Sequence, residues 1–198
     1  MAIIVDKVQK KRDIALSCRD IFFENGIRNL TISQIAKTAG IGKGTIYDYF
    51  RNKDDIVFEI VNIMIQERNK TLETLISGTK STKDKIKLFG SFFYSDEDAQ
   101  LRGLYKEFIS IALSSPDEEM IKFQTECFNL YYLWFEKTIE HAINSGEIIA
   151  ESKQFCKGLF VFAEGMFISS LATNAIVNVK DEIDSFVDAL FKLVEVKK

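Results

Sequence analysis

The sequence predicts an all-α protein: an N-terminal three-helix head of helix-turn-helix type, then a C-terminal helical bundle, about nine helices in all. Three observations predict it. Apolar residues recur at helical spacing along almost the whole chain. Runs that alternate polar and apolar residues between turn signals are nearly absent. The chain holds one proline and ten glycines, which leaves room for long uninterrupted helices.

At 198 residues the chain fits one domain or two small ones. A chain of this length buries roughly 70% of its unfolded surface, so a core can form without disulfides or a metal. Cys18, Cys127 and Cys156 are odd in number and widely spaced, which fits neither a disulfide framework nor a zinc site. They read as small buried hydrophobes; an oxidant sensor would need an exposed, low-pKa thiolate. The first residues lack the apolar core and cleavage site of a signal peptide. No uninterrupted apolar run reaches the length of a membrane span. The expectation is a cytoplasmic protein with no membrane partner.

Charge divides the chain. Residues 1–53 hold ten Lys/Arg against five Asp/Glu, a net of +5. Residues 54–198 hold 16 against 24, a net of −8. A basic head on an acidic body points to a polyanion at one end only. The expected domains follow the same cut: a head at 1–53, linked through a helix at 53–76, and a body at 54–198.

In the first helix Val8, Ala15, Cys18 and Phe22 lie along one stripe, with Ile14 and Ile21 beside it. Asn25-Gly26 ends it, glycine taking a left-handed cap. Thr31 or Ser33 caps the second helix, whose apolar side is Ile35, Ala36 and Ala39. Gly40 turns the chain into a third helix over 43–50, with Ile46 and Phe50 on its buried face. Gly42 makes a weaker cap there than serine or threonine. Asp54 and Asp55 favour the N-terminal dipole of the fourth helix. That helix is apolar almost all round over 56–65, broken by Glu59 and Asn62, as expected of a helix packed on several sides. Residues 77–82 read as a linker. Helices follow at about 83–94, 99–114, 116–145, 152–177 and 181–196. Ser115, Pro116 and Glu118 form a strong start for the long one.

The stretch from Thr31 to Lys53, TISQIAKTAGIGKGTIYDYFRNK, carries the functional signal. A helix fits the major groove of B-DNA, and its N-terminal side chains reach base edges. Lys43 suits guanine acceptors or a phosphate. Gly44 lets the backbone approach closely. Thr45 offers a methyl and a hydroxyl, and the Tyr47 and Tyr49 hydroxyls suit phosphates, which set register. Lys53 adds charge at the start of the fourth helix. Asp48, between the tyrosines, is either a cytosine acceptor or a solvated charge.

This pattern resembles the TetR family of bacterial transcriptional regulators. The matching residues are Phe22, Gly26, Thr31, Ile35, Ala36, Ala39, Gly40, Ile41, Lys43, Gly44, Thr45, Ile46, Tyr47, Tyr49, Phe50 and Lys53. The resemblance covers roughly 8–60. It implies an all-helical homodimer with a DNA head and a body that binds a small molecule. Carried over, Lys43, Gly44, Thr45, Tyr47, Tyr49 and Lys53 become DNA contacts, with Thr31 and Ser33 near phosphate.

Aromatic residues crowd the body. At helical spacing such residues are ordinarily core, but their density also suits a concave apolar site. Phe89, Phe93, Tyr105, Phe108, Tyr131 and Trp134 are the candidate lining. Glu164, alone in an apolar run, is either a structural pair or a group recognising a cation or hydroxyl. The last two helices carry apolar stripes on two faces, so Phe160, Phe167, Leu171, Val187 and Leu190 are candidates for a two-fold four-helix interface.

The expected function is a homodimeric repressor, released from a palindromic operator in double-stranded DNA by a small apolar or aromatic effector. No cofactor is expected. The competing expectation is a helical ligand-binding protein or enzyme with an incidental helix-turn-helix. A lone histidine, no nucleophile motif, no metal-ligand pattern and no phosphate loop argue against catalysis.

Overall fold

The computed structural model describes residues 6–114 and 118–196. Their order is α1 (Lys7–Asn25), α2 (Ile32–Thr38), α3 (Lys43–Tyr47), α4 (Lys53–Gly78), α5 (Thr82–Gly90), α6 (Ala99–Ser114), α7 (Glu118–Asn144), α8 (Ser152–Ala172) and α9 (Val179–Val194), with a 3-10 turn at Ser91–Phe93. The described residues contain no strand; Ile148 and Glu195 make an isolated antiparallel bridge. The proposed cap and first turn of α7 at Ser115 and Pro116 lie outside the described residues.

The chain forms two compact units. The first holds 1–70 and 100–123; the second holds 71–99 and 124–198. Thus α4 contributes to both, and α6, far along the chain, belongs to the unit of α1–α3.

In the first unit Ile14, Ala15, Cys18 and Phe22 bury one side of α1. Val8 is instead 78% exposed, because the stripe meets its packing partners only from the second turn onward. Ile35 and Ala36 of α2, Ile46 of α3 and Phe50 close the core. Each large side chain so buried contributes about 1.5–3 kcal/mol relative to exposure. From α4, Ile56, Val57, Ile60, Val61, Ile63 and Ile65 are buried, which accounts for an apolar pattern spread round that helix. Phe58, Phe108 and Phe123 form a ring cluster, with Phe58 stacked on Phe123 at 4.7 Å and edge-on to Phe108 at 6.0 Å.

The core of the second unit joins Ile86, Phe135, Ile139, Ala142, Cys156, Leu159, Ala163, Ile183, Val187, Phe191 and Val194. At Gly90 an added Cβ would stand 3.0 Å from Ile183, so close approach of α5 and α9 favours glycine. Glu147, in the turn after α7, accepts the Thr82 amide at 2.9 Å and its hydroxyl at 2.6 Å. That distant carboxylate caps α5 alongside Ser81.

Three body helices differ from the spacing-based expectation. The 83–94 segment stops being α-helical at Gly90 and tightens into the 3-10 turn. Helix α8 ends at Ala172, five residues early, because Thr173 turns extended. Helix α9 starts early, at Val179, capped by the Asn178 side chain.

Helix α8 is broken by Lys157 and Glu164, so its uninterrupted apolar runs stay short of a span. By overall length and mean composition it is, among the described residues, the one helix apolar enough to cross a membrane, and 22% of that window is buried. The same test is passed by helices whose apolar faces are covered by protein.

Candidate nucleic-acid interface

The reading surface is built on two short helices whose ends are tightly defined. Thr31 caps α2: its hydroxyl oxygen accepts the Gln34 amide at 3.3 Å, and the Gln34 side chain accepts the Thr31 amide at 2.9 Å. This reciprocal capping box settles Thr31 over Ser33 as the cap. Gly40 takes φ +66°, the left-handed region that favours glycine, and turns the chain between the helices. Gly42 precedes α3 with no side-chain cap bond. Helix α3 is five residues long, and its hydrogen bonding runs on through the Phe50 amide to the Ile46 carbonyl.

Ile46 and Phe50 point into the core, so the remaining residues of α3 point out. Lys43 and Gly44 are exposed, Tyr47 is 52% exposed, and Thr45 and Tyr49 are half-buried. Nothing lies within 4 Å of where a Gly44 Cβ would stand, so this position is open to close approach by a partner. Thr31 and Ser33 are exposed at the start of α2. The structure therefore brings the head candidates onto an outer surface of α2 and α3. Lys53 differs: half-buried, it donates to the Arg28 carbonyl at 3.1 Å, tying the start of α4 to the α1–α2 turn. Arg51, whose role the sequence did not reveal, is held by Asp55 at 2.9 Å and by Glu119 of α7 at 2.8 Å. The Arg51 guanidinium holds the Asp55 carboxyl below its ordinary range against the opposing effect of burial.

The ligand candidates fall in both units. Phe108 is buried in the ring cluster of the first unit, where Tyr105 is half-buried. In the second unit Phe89 is edge-on to Trp134 at 5.8 Å and to Phe135 at 5.2 Å, and Phe93 tilts against Phe167 at 5.6 Å. Tyr131 is half-buried on α7. Glu164 is half-buried on α8, on the outward stripe with Val161, Ile168 and Leu171.

The interface candidates separate as well. Phe167 and Val187 are buried within the subunit core, and Leu190 packs against it. Phe160 sits edge-on to Phe128 and Tyr132 and packs on Phe135. Leu171 is the one of the five that faces outward, at 51% exposure. The physical reason is that α8 is apolar nearly all round, so spacing alone does not tell its inner stripe from its outer one. The outward apolar residues are Val161, Ile168 and Leu171 on α8 and Phe186 and Leu193 on α9. Phe162 stacks on Phe186 at 3.9 Å, joining the two helices.

Burial disfavours the thiolate at all three cysteines. Burial pushes Cys18 and Cys156 up, and burial with the Glu126 charge pushes Cys127 up to about 11. Burial and the neighbouring Cys156 and Glu136 push Tyr132 up to about 12. Among the described residues no group of three His, Cys, Asp or Glu side chains is arranged to hold a metal.

Residues 18–60, which contain this surface, match the family model described as "Bacterial regulatory proteins, tetR family". Over these residues the chain is similar to the DNA-binding head of the TetR family. A curated relative is the HTH-type transcriptional regulator SAB2452 of Staphylococcus aureus (strain bovine RF122 / ET3-1), 32% identical over 79 residues. That match covers 40% of this chain and only 39% of the relative. Over the whole chain the likeness is one of fold. The TetR-family regulator of Cytophaga hutchinsonii aligns at TM-score 0.78 with 15% identity, covering 99% of this chain and all of that one. FadR of Bacillus subtilis, solved in complex with stearoyl-CoA, aligns at 0.65 with 20% identity over 90% of this chain and 96% of that one. The TetR-family fold thus extends beyond the residues whose sequence is recognisably shared.

Proposed function

We propose that this chain is a transcriptional repressor of the bacterial cytoplasm, acting as a homodimer on a palindromic operator and released by a largely apolar effector. Residues 1–53 read DNA; residues 54–198 bind the effector and the second subunit. The observation that carries the reading is the outer face of α3. Ile46 and Phe50 anchor it inward while Lys43, Gly44, Thr45 and Tyr47 line its outward side over an open backbone. A core alone does not call for that set of residues, whereas a major groove does.

Lys43 and Thr45 are the base-edge readers, and Thr31, Ser33, Tyr47 and Tyr49 fix register on phosphates. Lys53 serves the duplex indirectly, by holding the α1–α2 turn. The second copy covers Val161, Ile168, Leu171, Phe186 and Leu193, since an exposed apolar face of two helices calls for a partner. Two-fold pairing then spaces two heads one DNA turn, or a multiple, apart.

The effector reading rests on the Phe89–Trp134 and Phe93–Phe167 ring contacts of the second unit, with Tyr131 near Trp134 in sequence, side chains suited to an apolar chain or ring. FadR's stearoyl-CoA complex makes long-chain acyl-CoA the first compound to try. Effector must favour the DNA-incompetent state by about 5.5 kcal/mol to switch it almost fully.

The test is to incubate the purified protein with fragmented genomic DNA at near-physiological salt and sequence what it retains. Enrichment of one palindrome is expected. Retention with no shared sequence, lost steeply as salt rises, would mean a basic surface only.

A further inference from the structure

The turn between α1 and α2 is held from outside the reading helices. Gly26 ends α1 at φ 77° and ψ 163°, and the next amide, Ile27, has no local carbonyl to bond. Its acceptor comes from 80 residues away: Ile27 N–H donates to Glu107 Oε2 of α6 at 2.8 Å. The fit is close, since a Cβ at Gly26 would stand 3.3 Å from Glu107 Oε1. Seven residues further along α6, two turns on the same face, Ser114 Oγ accepts from Arg28 Nη2 at 3.4 Å. The other side of the turn is tied by Lys53 Nζ on the Arg28 carbonyl. Ile27 and Leu30 are buried between these ties.

We propose that Glu107 is a positioning residue for DNA recognition, and that its bond to the Ile27 amide couples α6 to the reading helices. This rests on the DNA-reading function proposed above. The turn leads directly into the capping box of α2, so its placement sets how α2 and α3 approach a duplex. Any rearrangement of α6 that withdraws the carboxylate leaves a buried amide unpaired. The head therefore moves with α6 or loses the bond.

Coupling is reciprocal: if the state of α6 alters DNA affinity, DNA must alter the state of α6. This allows a test without an effector. Amide hydrogen exchange is measured with and without the operator recovered from genomic DNA. In the wild type, operator slows exchange across 31–53 and also across 104–110, the latter about fivefold or more. Glu107→Ala keeps the slowing at 31–53 and loses it at 104–110. Glu107→Gln retains an acceptor oxygen and retains both effects. Should the alanine variant not fold, Glu107→Asp, one methylene too short to reach Ile27, takes its place and should behave as it does. Slowing at 104–110 that survives in the alanine or aspartate variant, or is absent from the wild type, overturns the proposal. Absence of slowing at 31–53 in the wild type would instead refute DNA reading itself.

Discussion

The head and the α8–α9 face solve opposite problems. In the head, two short helices are fixed by specific devices: the Thr31–Gln34 capping box, the left-handed Gly40 and the buried Ile46 and Phe50. Apart from Val8, little large apolar side chain is left over, and the outward residues Lys43, Gly44, Thr45 and Tyr47 are the proposed DNA contacts. Helices α8 and α9 bury one stripe and leave outside another set of apolar residues, Val161, Ile168, Leu171, Phe186 and Leu193. The head is locally determined, whereas the second face, under the proposed pairing, is determined by what covers it. A function written in local geometry is legible from one chain, whereas one written in an interface needs the partner.

Breaking the uncovered face should have the largest effect. Val161→Arg places a charge in the outward α8 stripe. We expect monomers by sedimentation and a loss of operator affinity of about 10²–10⁴, the range by which linking two sites exceeds one. A dimeric variant with full affinity would move the interface elsewhere.

Gly26→Ala probes the head's hold on α6. Its backbone lies in a region essentially reserved for glycine, so about 1–3 kcal/mol of stability should be lost. Denaturant unfolding measures this, and an unchanged midpoint would show that the turn relaxes freely.

Lys43→Ala sharpens the reading surface itself. If Lys43 meets a phosphate, the salt dependence of operator binding should lose about one unit of slope; if it meets guanine, discrimination at one base pair should fall by about 1–3 kcal/mol. No change in either would remove Lys43 from the interface.

A smaller effect is expected at Cys127. Its folded pKa, about 11, lies above the ordinary thiol value, so the folded state favours the protonated form. The stabilisation from that preference is present below the ordinary thiol pKa and is lost as pH rises towards 11. Iodoacetamide labelling of the native protein should stay slow at pH 8 and accelerate only near pH 11. Rapid labelling at pH 8 would reopen a thiol-sensing role.

The smallest change is Gly42→Ser. The added Cβ would meet only Thr45 Oγ1, at 3.6 Å, and a hydroxyl there can cap α3. A gain of a few tenths of a kcal/mol is expected over glycine. A lower melting midpoint would mean the glycine serves close approach instead.

The same contrast sets what the sequence made legible. The Thr31 cap, the Gly40 turn and the inward positions of α2 and α3 were readable because residues a few positions apart decide them, whereas Gly26 ends α1 with an extended ψ of 163° in place of the expected left-handed cap. Val8 was misjudged only because helical spacing does not say where packing begins. In the body, the limits of α6 were readable, but the outward stripe of α8 was not, since Phe160, Phe167 and Leu171 are equally apolar. Glu107 was invisible for a different reason. A carboxylate on a helix looks solvated until the fold brings an unpaired amide from 80 residues away. Arg51 was likewise unremarkable without Glu119 beside it.

The central claim is that the head reads DNA and the α8–α9 face sets the distance between two heads. The most direct measurement compares affinity for the selected palindrome, for one half-site, and for the palindrome with half a helical turn inserted at its centre. The account predicts that the intact palindrome binds about 10² or more times tighter than the half-site, and that the insertion abolishes the gain. Equal affinity for all three would contradict it.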